Sequence, residues 1–235
     1  MIRRFSSPGL HGIGGIALAE LAIRSRSGPI TLLLQPDAVS GIDTAVFSTA
    51  ATFNYGTQKS FLNTATNRAL VRFDLSAIPT SAECLSATLF LYHAATAGAL
   101  AFTVSAYSIA VGNAAWIEGT KAAALAGAGE PCWNALAADG LGGVLTAWAG
   151  SAGLSTAGTD YENGAIGSFS GNRADAVGVE YSMALTPGRV RDWFGSPNTN
   201  YGMLLITSAA TAGIATSDHA TAGYRPKLVV VYQVA

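Results

Sequence analysis

The sequence predicts an all-β, antiparallel sandwich with one short helix, long Gly/Ala-rich loops and an extended N-terminal arm. Three observations predict it. Short apolar or alternating runs recur from residue 29 onward with turn residues between them. One stretch, "TPGRVRDWFG" (186–195), carries helix start and stop signals: Thr186 to cap, Pro187 for the first position and Gly195 to end it. The 235 residues fit one large all-β domain or two small ones, with ample chain for a core. The sandwich is assigned to residues 29–235 and the arm to residues 1–28.

The arm comes first. It carries Gly, Ser and Pro punctuation and four arginines, Arg3, Arg4, Arg24 and Arg26. His11 and Glu20 interrupt its apolar run, and no clean cleavage site precedes Arg24, so it reads as a retained docking arm rather than a removed signal. "PITLLLQP" (29–36) reads as a buried strand, and "DTAVFSTA" (43–50) as the next. "RALVRFDL" (68–75), "SATLFLYHAA" (86–95) and "LAFTVSAYSI" (100–109) follow. In "SATLFLYH" both alternating faces carry apolar groups, as in a strand between two packed layers. "VEYSMAL" (179–185), "YGMLLITSA" (201–209), "AGIATSD" (212–218) and "PKLVVVYQV" (226–234) complete the set. Residues 112–178 show no firm strand pattern. They read as long connections folded over the sandwich and anchored by tryptophans.

Composition excludes several function classes. Thirteen Lys+Arg face fourteen Asp+Glu, and no polybasic stripe exists, so nucleic acid is not an expected partner. No run reaches the roughly 18–20 apolar residues of a membrane helix. Only 11% of residues are charged, which suits a surface packed against other molecules or a protein from an unusual habitat. Cys84 and Cys132 lie outside any CxxC; one long-range disulfide and two buried thiols both remain open.

Motifs for catalysis are absent. His11, His93 and His219 form no HxH or HExxH, no GxSxG elbow occurs, and "GIGG" at 12–15 lacks a following GK[ST]. Paired carboxylates would have to come from Asp43, Asp74, Glu118, Asp160, Glu162 and Asp218, which are spread along the chain. Asp37 and Asp43 are read as flanking a turn. Asp160 and Glu162, with Tyr161 and Asn163, offer oxygens to calcium, against the simpler reading of a polar loop. No cofactor is expected. Trp116, Trp133 and Trp148 are either loop anchors or a glycan-stacking platform; Trp193 belongs to the core face of the helix.

Charges interrupt one strand, "NRALVRFDLSAIP" (67–79). Val71, Phe73 and Leu75 alternate with Arg72 and Asp74, which places the two charges on one face, about 6–7 Å apart. That spacing suits two ends of one hydrogen-bond network. The ordered set "LVRFDLSAIP", "SATLFLY", "WIEG", the helix before "NYGMLLI" and the final "RPKLVVVY" resembles the DNRLRE-domain family over about residues 30–234. The resemblance implies a jelly-roll-like sandwich found in surface and secreted proteins, some of them carbohydrate-binding modules and some virion proteins. It also marks Arg72, Phe73, Asp74, Trp193 and Arg225 as residues that hold the fold.

The functional expectation is a non-catalytic structural protein of a large assembly, a virion decoration or surface protein. Its partners would be a capsid or other lattice and copies of itself, with no nucleic acid and no membrane. Its place would be the virion surface or the extracellular space. The alternative is a carbohydrate-binding module, for which Arg173, Arg189 and Arg191 are the clustered basic residues outside the arm.

Overall fold

A computed structural model describes residues 28–61, 66–195, 199–209 and 213–234. The proposed arm, with Arg3, Arg4, Arg24 and Arg26, lies outside the described residues. In chain order the strands are β1 (Ile30–Leu34), β2 (Ile42–Phe47), β3 (Phe53–Asn54), β4 (Ser60–Phe61), β5 (Asn67–Arg72), β6 (Glu83–Tyr92), β7 (Ala101–Ser108) and β8 (Ala124–Leu125). They continue as β9 (Ala137–Ala138), β10 (Val144–Thr146), β11 (Gly167–Asn172), β12 (Glu180–Leu185), β13 (Met203–Thr207), β14 (Ile214–Ala215) and β15 (Lys227–Gln233). The helix α1 (Pro187–Gly195) lies between β12 and β13.

Two antiparallel sheets form the sandwich. One has the order β1-β15-β6-β12 and the other β11-β7-β13-β5-β2. Small two-stranded pieces, β9-β10, β4-β14 and β3-β8, decorate them. Alternation sends one side chain set of each strand into the space between the sheets. Val71, Phe73 and Leu75 meet Leu89, Leu91, Met203, Leu205, Leu228 and Val230 there. Helix α1 adds Val190, Trp193 and Phe194 to the same core. Pro187 opens it as expected, but the Thr186 hydroxyl donates to the Ile166 carbonyl instead of capping.

A second core lies on the far side of the five-stranded sheet. Val46, Leu70 and Leu204, which point away from the first core, pack against Trp116, Leu136, Trp148 and Leu154. Residues 110–165 therefore form a third layer. Their strands are too short to show as a pattern, and the segment is tied down by turns and side-chain hydrogen bonds. Gly153 illustrates why glycine is so frequent here. Its φ is +69°, and a Cβ would sit 2.4 Å from the Trp133 ring.

Two strand expectations are corrected. "ITLLL" is not buried; it is the outer strand of its sheet, and Leu33 is 58% exposed. β6 does not lie between two packed layers. Leu89 and Leu91 are buried, while Thr88 and Phe90 face a side that no described residue covers as a layer. The five-stranded sheet occupies the position between layers instead. Within residues 112–178, β11 forms without a strand pattern in the sequence, because "GSFSGN" has one large apolar residue for its buried face.

Candidate functional site

Three separated acidic residues converge beside the end of β2. Asp43 is the second residue of that strand, buried at 2% exposure, not at a turn flank as the sequence suggested. Glu118 arrives on the loop that carries Trp116. That loop is fastened by Asn54, whose amide donates to the carbonyls of Glu118 (2.9 Å) and Pro131 (3.1 Å). Asn54 Oδ1 also accepts the backbone N–H groups of Gly56 and Lys121. Asp218 follows β14, and its segment is held by Thr216, which donates through Oγ1 to the Gln58 carbonyl at 2.6 Å.

Carboxylate oxygens of Asp43, Glu118 and Asp218 lie within 4.8 Å of one another. The Asp43 N–H donates to Glu118 Oε1 (3.1 Å), and the Ser217 N–H donates to Asp43 Oδ2 (2.8 Å). Three buried oxygens lack a well-formed hydrogen bond, Asp43 Oδ1, Asp218 Oδ2 and Ser217 Oγ, although the Ser217 hydroxyl lies close enough to the Asp43 carboxylate to pull it down. Burial pushes the Asp43 carboxyl up to about 7 and, with the neighbouring acids, Glu118 up to about 8. Asp218 is raised by burial too, while Arg225 pulls it back down. The Arg225 Nε–H donates to the His219 carbonyl, so this arginine ties the same loop.

The remaining acidic residues of the predicted set stay apart. Asp160 is fully buried, and its carboxylate accepts N–H groups from Gly150, Ser151, Thr156 and the Asn113 amide. Its oxygens are engaged in folding the loop. Glu162 points elsewhere, to Arg189 at 2.7 Å. Asp74 is exposed and accepts the Ser76 N–H, which holds its carboxyl below the usual range. Arg72 stacks over Trp116, 4.9 Å from the ring centre. The expected Arg72–Asp74 network is therefore not what forms, because the strand ends at Arg72 and Asp74 turns with the chain.

The tryptophans anchor loops. Trp116 is 1% exposed and donates through Nε1 to the Tyr201 carbonyl at 2.6 Å. Trp148 donates to the carbonyls of Cys132 (2.9 Å) and Trp133 (3.1 Å). Trp133 is half-buried, with Arg68 5.8 Å from its ring centre. Trp116 and Trp148 are thus buried as loop anchors, while Trp133 keeps part of its ring exposed. Phe73 and Trp193 sit in the first core as expected. Cys84 and Cys132 are both buried free thiols.

A groove of about 580 Å³ runs beside α1, lined by Glu162, Arg189, Arg191, Asp192, Thr199 and Tyr201 among others. The carboxylate cluster does not line it. Arg173 lies elsewhere, beside Leu100. Among the described residues no helix is long and apolar enough to cross a membrane. No family model matches the chain, and no curated protein matches it.

The sequence offers Asp43, Glu118 and Asp218 as separate acidic residues, and nothing in their spacing joins them. The available signal was Asp43 itself, a charge inside the apolar run "IDTAVF".

Proposed function

We propose that the chain is a non-catalytic structural protein of a large assembly, in its most specific form a virion-surface or decoration protein. One observation carries the reading. The outer face of the four-stranded sheet is open and carries few charges, Lys227, Glu180 and, at one end, Glu83. Its cross-strand rows read Leu33–Val229–Thr88–Ala184, Thr31–Val231–Ser86 and Lys227–Phe90–Ser182. Lys227 is the one charge in these rows, and it is paired with Glu180 at 3.2 Å. The chain covers the corresponding face of its other sheet with its own residues. A flat face of methyl and hydroxyl groups suits burial against a second subunit or a lattice. The resemblance to the DNRLRE family, with its jelly-roll-like virion relatives, supports the same direction.

Leu33→Glu places a charge in that face without touching either core. Size-exclusion chromatography with light scattering should show the wild type as an oligomer and this variant as a smaller species with an unchanged circular dichroism spectrum. A monomeric wild type that also fails to co-sediment with particles would overturn the reading.

The groove beside α1 favours a second reading, a carbohydrate-binding module for acidic glycans. Arg189, Arg191 and Tyr201 line it together. Retardation in affinity gels containing alginate or pectin, lost in Arg191→Ala, is the expected result under that reading.

A further inference from the structure

The carboxylate cluster is built for more than a turn. It brings three negative groups together from β2, the Trp116 loop and the loop after β14. Close carboxylates repel unless a proton or a cation lies between them. We propose that Asp43, Glu118 and Asp218, with the Ser217 hydroxyl, form a calcium site that staples the edge strand β2 to the two loops crossing its end.

Three features of the site select the ligand. The carboxylate oxygens lie within 4.8 Å of one another, inside the roughly 5 Å that two oxygens on opposite sides of one Ca²⁺ span. Donors are oxygens only, with neither histidine nor cysteine, which disfavours zinc and other softer metals. Two of the three ligands sit on irregular loops, which suits the flexible shell of Ca²⁺ better than the strict octahedron of Mg²⁺.

Independent support comes from the unpartnered atoms. Asp43 Oδ1 belongs to a residue 2% exposed, and Ser217 Oγ to one 1% exposed; the Ser217 hydroxyl faces the Asp43 carboxylate closely enough to pull it back down, yet neither oxygen makes a well-formed hydrogen bond. The Ser217 side chain lies against Gly41, where a Cβ would come within 2.2 Å of Oγ. Buried oxygens without donors are costly. A cation at the centre satisfies the two carboxylates and the hydroxyl together, with water completing the shell. Among the described residues no other group of three acidic, His or Cys side chains converges in this way.

This inference is independent of the assembly reading. Its test uses the full chain, stripped with a chelator and then titrated with Ca²⁺ or Mg²⁺ by calorimetry and thermal melting. We expect one Ca²⁺ per chain and, at roughly a hundredfold excess over Kd, a melting temperature about 5–10 °C higher. Mg²⁺ should give a clearly smaller shift. Glu118→Gln and Asp218→Asn each remove one of three repelling charges. They should melt no lower than the stripped wild type and should lose the calcium response. Terbium luminescence on the wild type, quenched by Ca²⁺, carries the test if either variant fails to fold. No calcium heat and no melting shift in the wild type would overturn the site. A full response in both variants would do the same, and an equal response to Mg²⁺ would overturn the assignment to calcium.

Discussion

Arg72 places its charge over an aromatic ring instead of beside a carboxylate. Its neighbour four residues back on the same face, Arg68, does likewise with Trp133 and also donates to the carbonyls of Gly153 and Leu154. The two arginines thus clamp the third layer from the same strand. A partly desolvated cation–π contact contributes up to about 2 kcal/mol. Arg72→Ala should lower the urea midpoint by an equivalent of about 1–2 kcal/mol; an unchanged midpoint would refute the clamp. Asp160 works differently. Three backbone N–H groups and one amide converge on it, and removing a buried acceptor costs about 1–3 kcal/mol for each strongly desolvated donor. Asp160→Ala should therefore destabilise the chain by about 3–5 kcal/mol in chemical denaturation.

At the scale of elements, the third layer is the distinctive piece. Residues 110–165 contain little regular structure, so their order depends on Trp116 and Trp148 filling the outer face of the five-stranded sheet. Trp148→Ala deletes a large buried ring and two hydrogen bonds, a loss of about 3–5 kcal/mol at a core site. Hydrogen exchange should then accelerate first at Ala126, Asn134 and Gly153, whose N–H groups bond within or onto this layer, while β6 and β15 keep their protection. Uniform acceleration across both sheets would show instead that the layer is not a separate unit. β1 illustrates the reverse case. Its apolar run looks like a buried strand, yet it ends at the edge of a sheet with one face open. Hydrophobicity reports the chemistry of a face, whereas burial depends on what the rest of the chain brings to it.

At the scale of the molecule, the metal-free protein should be sensitive to pH. Asp43 and Glu118 have folded-state values of about 7 and about 8, above their ordinary values. The folded chain thus holds protons that the unfolded chain releases, and stability is greatest below the unfolded values and is lost as pH rises through the folded ones. The charged groups around them are Asp218, which adds to the repulsion, and Arg225, which faces Asp218. Melting temperature in chelator should fall between about pH 5 and about pH 8, and saturating Ca²⁺ should flatten that fall. A melting temperature that rises over this range in chelator would contradict the assigned shifts.

The strands β1, β2, β5 to β7 and β12 to β15, the helix α1 and the inward set Val71, Phe73 and Leu75 were legible in the sequence, because alternation and end signals act between residues that are close along the chain, whereas β3, β4 and β8 to β11 are too short or too poor in large apolar residues to show. So was the anchoring of the long segment by tryptophans. The order of strands, the open face of one sheet and the covered face of the other were not legible, since each depends on which distant segment arrives there. The same holds for the carboxylate cluster: Asp43 and Glu118 are 75 residues apart, and Asp218 lies farther still along the chain. Local pattern determined an all-β sandwich rich in loops. Only tertiary packing decided that three scattered acids share one buried point, because residue spacing carries no information on how long loops close.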